Sequence, residues 1–558
     1  MIREAAIMAA SFFSKGRRGM KKLTLMILAV IVLCVTLTFV IVIANSVKTS
    51  AKAETQIADN ILYENAYITS TEGGVIRFVC QNSQYEVAGH LQKDVCGISD
   101  IEVTDGKITK IRYKGDSVDG NLLSYNRSSN QIEIEGYGYV EAFDTVPVYT
   151  SLGDTVAETS WDELVLGGTR LKYVLEGDKI CAAILEQEID DSNIRVLLKN
   201  NDEYLYTNVY IKSDNACHIF NQRTGESTVT DAGAVIDVSA LGIEAGDNRI
   251  ITPEGGTFFY STNGTDYCVN GYEGSLIVRN TGSGYALVNV LSVENYVRYV
   301  LPSEMMLSFA PEALKAQAIC ARTYAYSQMK NMEYAEYGAN LDNTTAYQVY
   351  NASGRYAETD AACDATQGQV VTYDNELAVC YYFSTCGDMT EDFEVWESET
   401  PGYIHKVASS DTNSPFYRWS AVIGLDSIAD AELGKLKSIS VDETSENGFV
   451  LKLTAQFEKG SREMKNENII RKFLGQGLVS TTLNDGSVRE NLSMIPSACF
   501  HIVSSDASRY TIEGSGFGHE IGMSQYGADS MAQNGSSCTD IISYYYNNVE
   551  IKQIGEVR

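Results

Sequence analysis

The spacing of apolar residues changes twice along the chain. Residues 23–44 form a run of 22 residues without a charge (LTLMILAVIVLCVTLTFVIVIA). As a helix rising about 1.5 Å per residue, this run is about 33 Å long, enough to cross a bilayer. From about residue 60 the apolar residues alternate in short runs typical of strands, and from Pro311 they repeat at helical spacing. The pattern predicts a membrane helix, then a β-rich stretch, then a long helix.

The charges beside the apolar run give its orientation. Residues 1–22 carry six basic residues against Glu4 alone, a net charge of +5, whereas only Lys48 and Lys52 follow the run closely. By the positive-inside rule we expect a cytoplasmic basic tail (1–22), a single-pass anchor in the cell membrane (23–44), a tether (45–59) and an extracytoplasmic body. A cleaved signal peptide is the alternative, because residues 51–53 (Ala-Lys-Ala) resemble a cleavage site, but that site lies far beyond a run already longer than a signal peptide needs.

Residues 60–187 have the pattern of a small all-β module. Apolar residues alternate on both sides of Asp105-Gly106, which predicts a hairpin with a tight turn. Further strands are predicted over residues 131–143 and 170–177. This module contains no cluster of residues typical of catalysis, so we interpret it as a spacer or a binding module of unknown role.

The remaining sequence predicts an α+β domain of mixed sheets with one long helix. A second β-rich stretch runs from Ile194 to about Val290. It is followed by PEALKAQAICARTYAYSQMK, residues 311–330, in which Pro311 suits the first turn of a helix and the alanines allow close packing.

Motifs in this region carry a resemblance to a known family. VENYVRYVLPSEM (293–305) is followed by ALKAQAICARTYA (313–325), DATQGQVVTY (364–373), YFSTCGDMTED (382–392), SPFYRW (414–419) and GFGHEIGMSQYGA (516–528). In this order they resemble the stage II sporulation protein D family, also called the SpoIID/LytB domain. The resemblance covers about residues 190–555 and leaves residues 60–187 outside.

The resemblance implies a peptidoglycan lytic transglycosylase. Such enzymes cleave the β-1,4 bond between N-acetylmuramic acid and N-acetylglucosamine in glycan strands stripped of stem peptides, and leave 1,6-anhydro-muramyl ends. The family's catalytic acid corresponds to Glu304. A second branch of the family is described as modifiers of wall amidases, so a non-catalytic amidase enhancer or scaffold is the alternative, and a purely structural glycan-binding protein is a third. Expected partners are glycan strands, a peptidoglycan amidase and other membrane-bound sporulation proteins.

One carboxylate is enough for this chemistry, because the substrate's own C6 hydroxyl can attack the anomeric carbon. Glu304 would act first as acid and then as base, which favours a raised pKa. A competing reading of Glu304 is a carboxylate beside Ser303 that satisfies free backbone N–H groups at a helix start. For the glycan contacts we select hydroxyl, amide, aromatic and charged side chains in the motifs: Arg322, Ser384, His519, Ser524, Gln525 and Tyr526. Arg322 is expected to be semi-buried and paired.

The sequence departs from the family pattern at several motif positions. Cys386 stands where a serine is usual, Asp388 and Glu520 stand where glycines are usual, and Ala346-Tyr347 stands where many relatives have His-Cys before Gln-Val-Tyr. No cofactor or metal is predicted. A zinc site at Cys380 and Cys386 is possible but not favoured, because a zinc ion would need two further ligands.

The charge of the whole chain, −30, conceals the positive tail, so the rest carries −35. Such an acidic body excludes the basic surface of a nucleic-acid-binding protein. It suits a largely uncharged carbohydrate.

Overall fold

The computed structural model describes residues 60–89, 95–153, 155–200, 203–351, 354–506 and 508–557. The predicted tail, anchor and tether, residues 1–59, lie outside these ranges. Within these ranges, none of the helices has the length and apolar character needed to cross a membrane.

The first unit is a closed barrel of five strands in the order β1-β2-β3-β5-β4. The strands are β1 (Ile61–Ser70), β2 (Val75–Cys80), β3 (Ser83–Ala88), β4 (Gly97–Thr104) and β5 (Lys107–Tyr113). The predicted hairpin is confirmed: β4 and β5 pair antiparallel up to Thr104 and Lys107. Asp105 and Gly106 both have positive φ (49° and 72°), as a type I′ turn requires.

A seven-stranded sheet follows in the order β10-β9-β12-β11-β6-β7-β8. Its strands are β6 (Ser117–Asn126), β7 (Gln131–Ile134), β8 (Gly138–Glu141), β9 (Val148–Leu152), β10 (Thr155–Thr159), β11 (Arg170–Glu176) and β12 (Lys179–Leu185). The strands predicted over 131–143 and 170–177 are confirmed as β7, β8 and β11. The described part of residues 60–187 is therefore β-structure, arranged as a barrel and a sheet.

Buried ion pairs join these units to each other and to the rest of the chain. Lys114 bridges Asp100 of the barrel (2.9 Å) and Glu176 of the sheet (2.6 Å). Glu133 on β7 meets Arg279 (2.6 Å), and both side chains are nearly inaccessible to solvent. Removing one partner of such a pair leaves a buried charge without compensation. The ion pairs thus fix the β module against the family-like region.

The family-like region begins with a seven-stranded sheet in the order β16-β15-β18-β20-β21-β13-β22 and a three-stranded sheet, β17-β14-β19. The bounds are β13 (Asn193–Leu197), β14 (Tyr210–Ser213), β15 (Cys217–Phe220), β16 (Ser227–Thr230), β17 (Val235–Asp237), β18 (Asn248–Pro253), β19 (Phe258–Ser261), β20 (Ser275–Asn280), β21 (Tyr285–Ser292) and β22 (Leu341–Asp342). Most neighbours are antiparallel, but β13 and β22 are parallel, so the sheet is mixed as predicted.

Three helices lie on this core: α1 (Val293–Glu304), α2 (Pro311–Gln328) and α3 (Ala357–Ala365). The predicted long helix is confirmed as α2, with Pro311 at its start and Ala313, Ala316, Ala318, Ala321 and Ala325 fully buried. These small side chains let α2 approach α1, α3 and β23 (Gln369–Tyr373) closely. β23 lies between β24 (Glu376–Leu377) and β36 (Glu550–Gln553).

A second hydrophobic core, which the sequence analysis did not predict, lies within residues 419–512. It is formed by helix α4 (Glu467–Gly475) and two sheets, β32-β31-β26-β34-β33 and β27-β28-β29-β30. The strands, in chain order, are β26 (Trp419–Gly424), β27 (Ala429–Asp430), β28 (Gly434–Thr444), β29 (Val450–Phe457), β30 (Ser461–Lys465), β31 (Leu478–Leu483), β32 (Val488–Arg489), β33 (Phe500–Ser505) and β34 (Arg509–Gly514).

The chain then returns to the first core. A short parallel pair is formed by β25 (Tyr382–Phe383) and β35 (Met523–Ser524). Helices α5 (Gln525–Gln533) and α6 (Cys538–Tyr545) follow and pack against α2. This return brings two motifs that are distant in the sequence next to α1.

Candidate active site around Glu304

Glu304 is the last residue of α1. Ser292 caps the start of the helix, because its side chain accepts a hydrogen bond from the Asn295 N–H, and the helix buries Tyr296, Val297, Val300 and Leu301. These residues hold one face of α1 against the sheet. The carboxyl group of Glu304 therefore lies at the negative end of the helix dipole, where a second negative charge is unfavourable.

The surroundings of Glu304 favour its protonated form. Its side chain is only partly accessible to solvent, and burial raises the pKa of the carboxyl to about 7. The Val349 N–H, 2.7 Å from Oε1, and the Gln525 side chain both hydrogen-bond to the carboxyl and partly offset this rise. Among the described residues, no second carboxylate contributes to the pKa shift of Glu304.

Two buried side chains hold Val349 in place. Gln348 donates from Nε2 to the Ala321 carbonyl and to the Tyr382 hydroxyl (2.8 Å). The Tyr350 hydroxyl donates to Oδ1 of Asn289 (2.6 Å). In the sequence analysis, only the altered residues Ala346-Tyr347 before the Gln-Val-Tyr segment (348–350) were considered. Its contact with Glu304 is a feature that sequence reasoning missed.

Gln525 reaches Glu304 because it opens helix α5. The preceding residue, Ser524, is fully buried, and its hydroxyl accepts a hydrogen bond from the Gly527 N–H as the cap of α5. Strand β35 pairs with β25, and the Ser384 carbonyl accepts a hydrogen bond from the Tyr526 N–H (3.1 Å). These contacts bring the 382–384 and 523–526 segments to the same side of Glu304.

A cavity of about 260 Å³ is lined in part by Tyr324 and Tyr382, two tyrosines whose pKa the charge of Glu304 helps to raise. Half of its twelve lining residues carry aromatic rings: Tyr324, Tyr347, Tyr381, Tyr382, Trp396 and His519. The other half is mainly polar and includes Glu467, which pairs with Arg471 (2.9 Å). Burial, and after it the charge of Glu304, raises the pKa of Tyr382, so Glu304 lies near the cavity although it does not line it. Flat aromatic surfaces with polar edges suit the apolar faces and hydroxyl groups of sugar rings. Met305, directly after Glu304, is buried, whereas the next two residues, Met306 and Leu307, are exposed.

His519 lies in this cavity as a neutral ring. Its ring centre is 5.2 Å from that of Trp396 and 5.8 Å from that of Phe383. Nδ1 accepts a hydrogen bond from the Ile521 N–H (3.1 Å). Burial lowers the pKa of His519 to about 4, so the ring is uncharged at neutral pH. Glu520 stands at a usual glycine position and has a positive φ of 63°, a backbone conformation that glycine adopts easily. Its side chain is buried in the interior.

The structure corrects the expected glycan contact of Arg322. The guanidinium is fully buried and makes a bidentate pair with Glu294, at 2.8 and 2.9 Å. It also donates to the Gln369 carbonyl (3.2 Å). Because these partners occupy its donors in the interior, Arg322 holds α1, α2 and β23 together, in agreement with the expectation that it is paired.

The other selected residues differ in their access to Glu304. Gln525 contacts it directly, whereas Ser524 is buried and its hydroxyl caps α5, which removes it from the set of glycan contacts. Tyr526 is partly exposed and packs edge-on against Phe309, with ring centres 5.1 Å apart. Ser384 is partly exposed beside it. The structure thus brings together Glu304, Gln525, Tyr526, Ser384 and His519.

The two cysteines of the considered zinc site are both fully buried thiols with different neighbours. Cys380 interacts with Cys320 and Thr323, whereas Cys386 interacts with Ser409 and Asp411. Over the described ranges, His, Cys, Asp and Glu side chains nowhere cluster in threes with a geometry that could hold a metal ion.

Comparison with known proteins identifies the family of the region that contains Glu304. A family model described as stage II sporulation protein, SpoIID, matches residues 281–373, which include α1, α2 and Glu304. Stage II sporulation protein D of Bacillus subtilis is 31% identical over 283 residues, which cover 48% of this chain and 76% of that protein. The chain belongs to the SpoIID family. The same protein of Bacillus amyloliquefaciens is 32% identical to this SpoIID-family chain over 49% of the chain and 77% of the relative.

A further relative has a different name. The amidase enhancer of Bacillus subtilis is 31% identical over 286 residues, which cover 44% of this SpoIID-family chain but only 39% of that longer protein. Of the functions considered from the sequence, amidase enhancement therefore has a relative named for it, whereas the names of the two sporulation proteins state no activity.

Proposed function

We propose that this SpoIID-family protein is a membrane-anchored lytic transglycosylase that cleaves the glycan strands of peptidoglycan, with Glu304 as its catalytic residue. The observation that carries the proposal is a partly exposed carboxyl group with a pKa of about 7, close to Tyr382 in the wall of a cavity whose lining is half aromatic. An acid with such a pKa holds a proton at neutral pH and can also release it.

In the proposed reaction, protonated Glu304 donates its proton to the glycosidic oxygen between N-acetylmuramic acid and N-acetylglucosamine. The bond between this oxygen and C1 of N-acetylmuramic acid breaks, and N-acetylglucosamine leaves with a new hydroxyl at C4. The Glu304 carboxylate then takes the proton of the C6 hydroxyl while O6 attacks C1. A 1,6-anhydro ring forms, Glu304 is protonated again, and no water is consumed. A hydrolase would need a second carboxylate for its water or nucleophile.

Charge and surroundings favour glycan without stem peptides as the substrate. The chain outside the first 22 residues carries a charge of −35, and His519 in the cavity is neutral. Stem peptides carry several carboxylates, which such a body repels, whereas peptide-free glycan carries only the lactyl carboxylate of each N-acetylmuramic acid. We further propose that residues 23–44 anchor the protein in the cell membrane with the body outside the cytoplasm, in sporulation or wall remodelling.

The direct test incubates the full chain, in detergent micelles, with purified glycan strands that either keep or lack stem peptides. Mass spectrometry then measures 1,6-anhydro-muramyl ends. We expect such ends from the peptide-free strands and far fewer from the others. Reducing ends in place of anhydro ends, or no cleavage of either substrate, would contradict the proposal.

Amidase enhancement is the second candidate function, supported by the relative named amidase enhancer. It is distinguished by adding a peptidoglycan amidase and measuring the release of stem peptides. If Glu304→Gln accelerates this release as much as the unchanged protein does, the enhancement does not use the chemistry at Glu304. In that case the absence of anhydro ends would leave enhancement as the function.

A pH profile follows from the pKa of Glu304. Because the acid must carry its proton when the glycosidic bond breaks, kcat/KM is expected to fall as the pH rises through about 7, the pKa of Glu304 in the free protein. The measurement is the initial rate of anhydro-end formation from pH 5 to 9 at glycan concentrations well below KM. A rate that still increases between pH 7 and 9 would contradict the role of Glu304 as general acid.

A further inference from the structure

Asp411 is a fully buried carboxylate, and it accepts a hydrogen bond from Ser524, the residue directly before Gln525. One oxygen, Oδ2, accepts hydrogen bonds from the Thr385 hydroxyl (2.9 Å), the Cys386 N–H (2.8 Å) and the Ser524 hydroxyl. The other, Oδ1, accepts one from the Ser409 hydroxyl. Four donors on one buried carboxylate are a strong, charge-assisted arrangement.

These donors belong to the segments that place Gln525. Thr385 and Cys386 follow β25 closely, and Ser524 ends β35 and caps α5 immediately before Gln525. The packing here leaves no space for adjustment, since a Cβ atom at Gly527 would lie 2.2 Å from both the Ser409 Oγ and the Tyr545 hydroxyl. A change at Asp411 is therefore transmitted to the first turn of α5.

We propose that Asp411 is a positioning residue, which joins the segments after β25 and before α5 so that the Gln525 side chain meets the Glu304 carboxyl. Asp411 is inaccessible to solvent and does not contact the cavity, so it acts only through Gln525. The expected effect of Asp411 on the rate rests on the proposed function of Glu304. Its expected effect on the contact between Gln525 and Glu304 is independent of that function.

The sign of the expected change follows from this contact. The Gln525 hydrogen bond lowers the pKa of Glu304, so its loss must move that pKa above about 7. The other titratable groups that face Glu304 are the hydroxyls of Tyr296, Tyr324 and Tyr382, and burial raises the pKa of each of them. They stay neutral over the pH range concerned. A shift observed between pH 5 and 9 therefore reports on Glu304.

The test compares Asp411→Asn with Gln525→Ala in the full chain. The control is Asp388→Asn, because that carboxylate is exposed and pairs only at the surface with Arg418 and Tyr417. Carbon-13 NMR of glutamate carboxyl groups follows the titration of Glu304, whose signal is the one absent from Glu304→Gln. Both test variants are expected to raise the pKa of Glu304, whereas the control leaves it unchanged.

Kinetics give a second readout. In Asp411→Asn we expect kcat to fall roughly 10- to 100-fold, as small misplacements of catalytic groups do, with KM within about twofold. If Asp411→Asn does not fold, Thr385→Val, which removes one donor to Asp411 and leaves the Ser524 cap of α5 in place, decides the question, with the same direction of shift expected. An unchanged pKa of Glu304 in the folded variant would overturn the proposal. A shifted pKa without anhydro products from any variant would support the positioning and contradict the transglycosylase.

Discussion

Replacing Glu304 with glutamine is expected to slow the formation of 1,6-anhydro ends roughly 10²- to 10⁴-fold, the usual contribution of a general acid or base. The amide has nearly the same shape, and its oxygen can still accept the hydrogen bond from the Val349 N–H. It has no acidic proton to donate to the glycosidic oxygen. Single-turnover rates on peptide-free glycan strands measure the effect.

The matched control for this variant is Glu358→Gln, which makes the same change at an exposed position in the first turn of α3. Its rate should stay within about twofold of the unchanged protein, since surface changes of this kind rarely affect a distant site. Unchanged cleavage by Glu304→Gln would show that another residue supplies the proton. It would therefore contradict the assignment of Glu304.

A stability measurement shows that the glutamine variant is folded. In the native protein the pKa of Glu304 is about 7, above its ordinary value of 4.5, so the unfolded chain releases this proton at lower pH than the folded protein does. The free energy of unfolding therefore decreases as the pH rises from about 4.5 to 7. Glutamine has no proton to lose, so Glu304→Gln should be more stable than the unchanged protein at pH 8 and similar to it at pH 4.

The second large effect is expected at Arg322. Arg322→Ala removes a fully buried guanidinium, which leaves the carbonyl of Gln369 and the partly buried carboxylate of Glu294 (21% exposed) without it. Breaking a buried ion pair in this way costs about 3–5 kcal/mol of the free energy of unfolding. Urea denaturation followed by circular dichroism measures the loss.

Lys315→Ala on the same helix is the control for Arg322→Ala. Its ion pair with Glu312 is partly exposed, with about a third of each side chain accessible to solvent (30% and 35%), so the expected loss is about 0–1 kcal/mol. If Arg322→Ala kept its stability but raised KM for glycan, Arg322 would be a substrate contact after all. The structural role proposed here would then be wrong.

Local signals were enough to predict the elements whose formation depends on neighbouring residues. The hairpin at Asp105-Gly106 follows from a turn that needs two positive φ angles, and α2 follows from Pro311 and the alanine spacing. The second core within residues 419–512 was not predicted. Its sheets join strands from distant parts of the sequence, such as β26 with β34, and no local periodicity records that pairing.

The motifs marked Glu304 as the catalytic acid and His519 and Gln525 as glycan contacts, but they did not show which side chains touch one another. Gln525 was expected to contact glycan, and in the structure it also hydrogen-bonds to Glu304. Ser524 and Arg322 carry side chains that suit sugar recognition, yet both are buried. Side-chain chemistry is readable from a sequence, whereas burial depends on every element that packs around the residue.

By itself the sequence determined the family, the α+β class, the long helix and the residue that carries the proposed chemistry, because these depend on short motifs and local periodicity. Only the tertiary structure decided what surrounds that residue. The N–H of Val349, the side chain of Gln525 and the buried Asp411 come from separate parts of the chain. They meet because sheets and helices bury their apolar faces together, and this shared burial gives Glu304 its raised pKa.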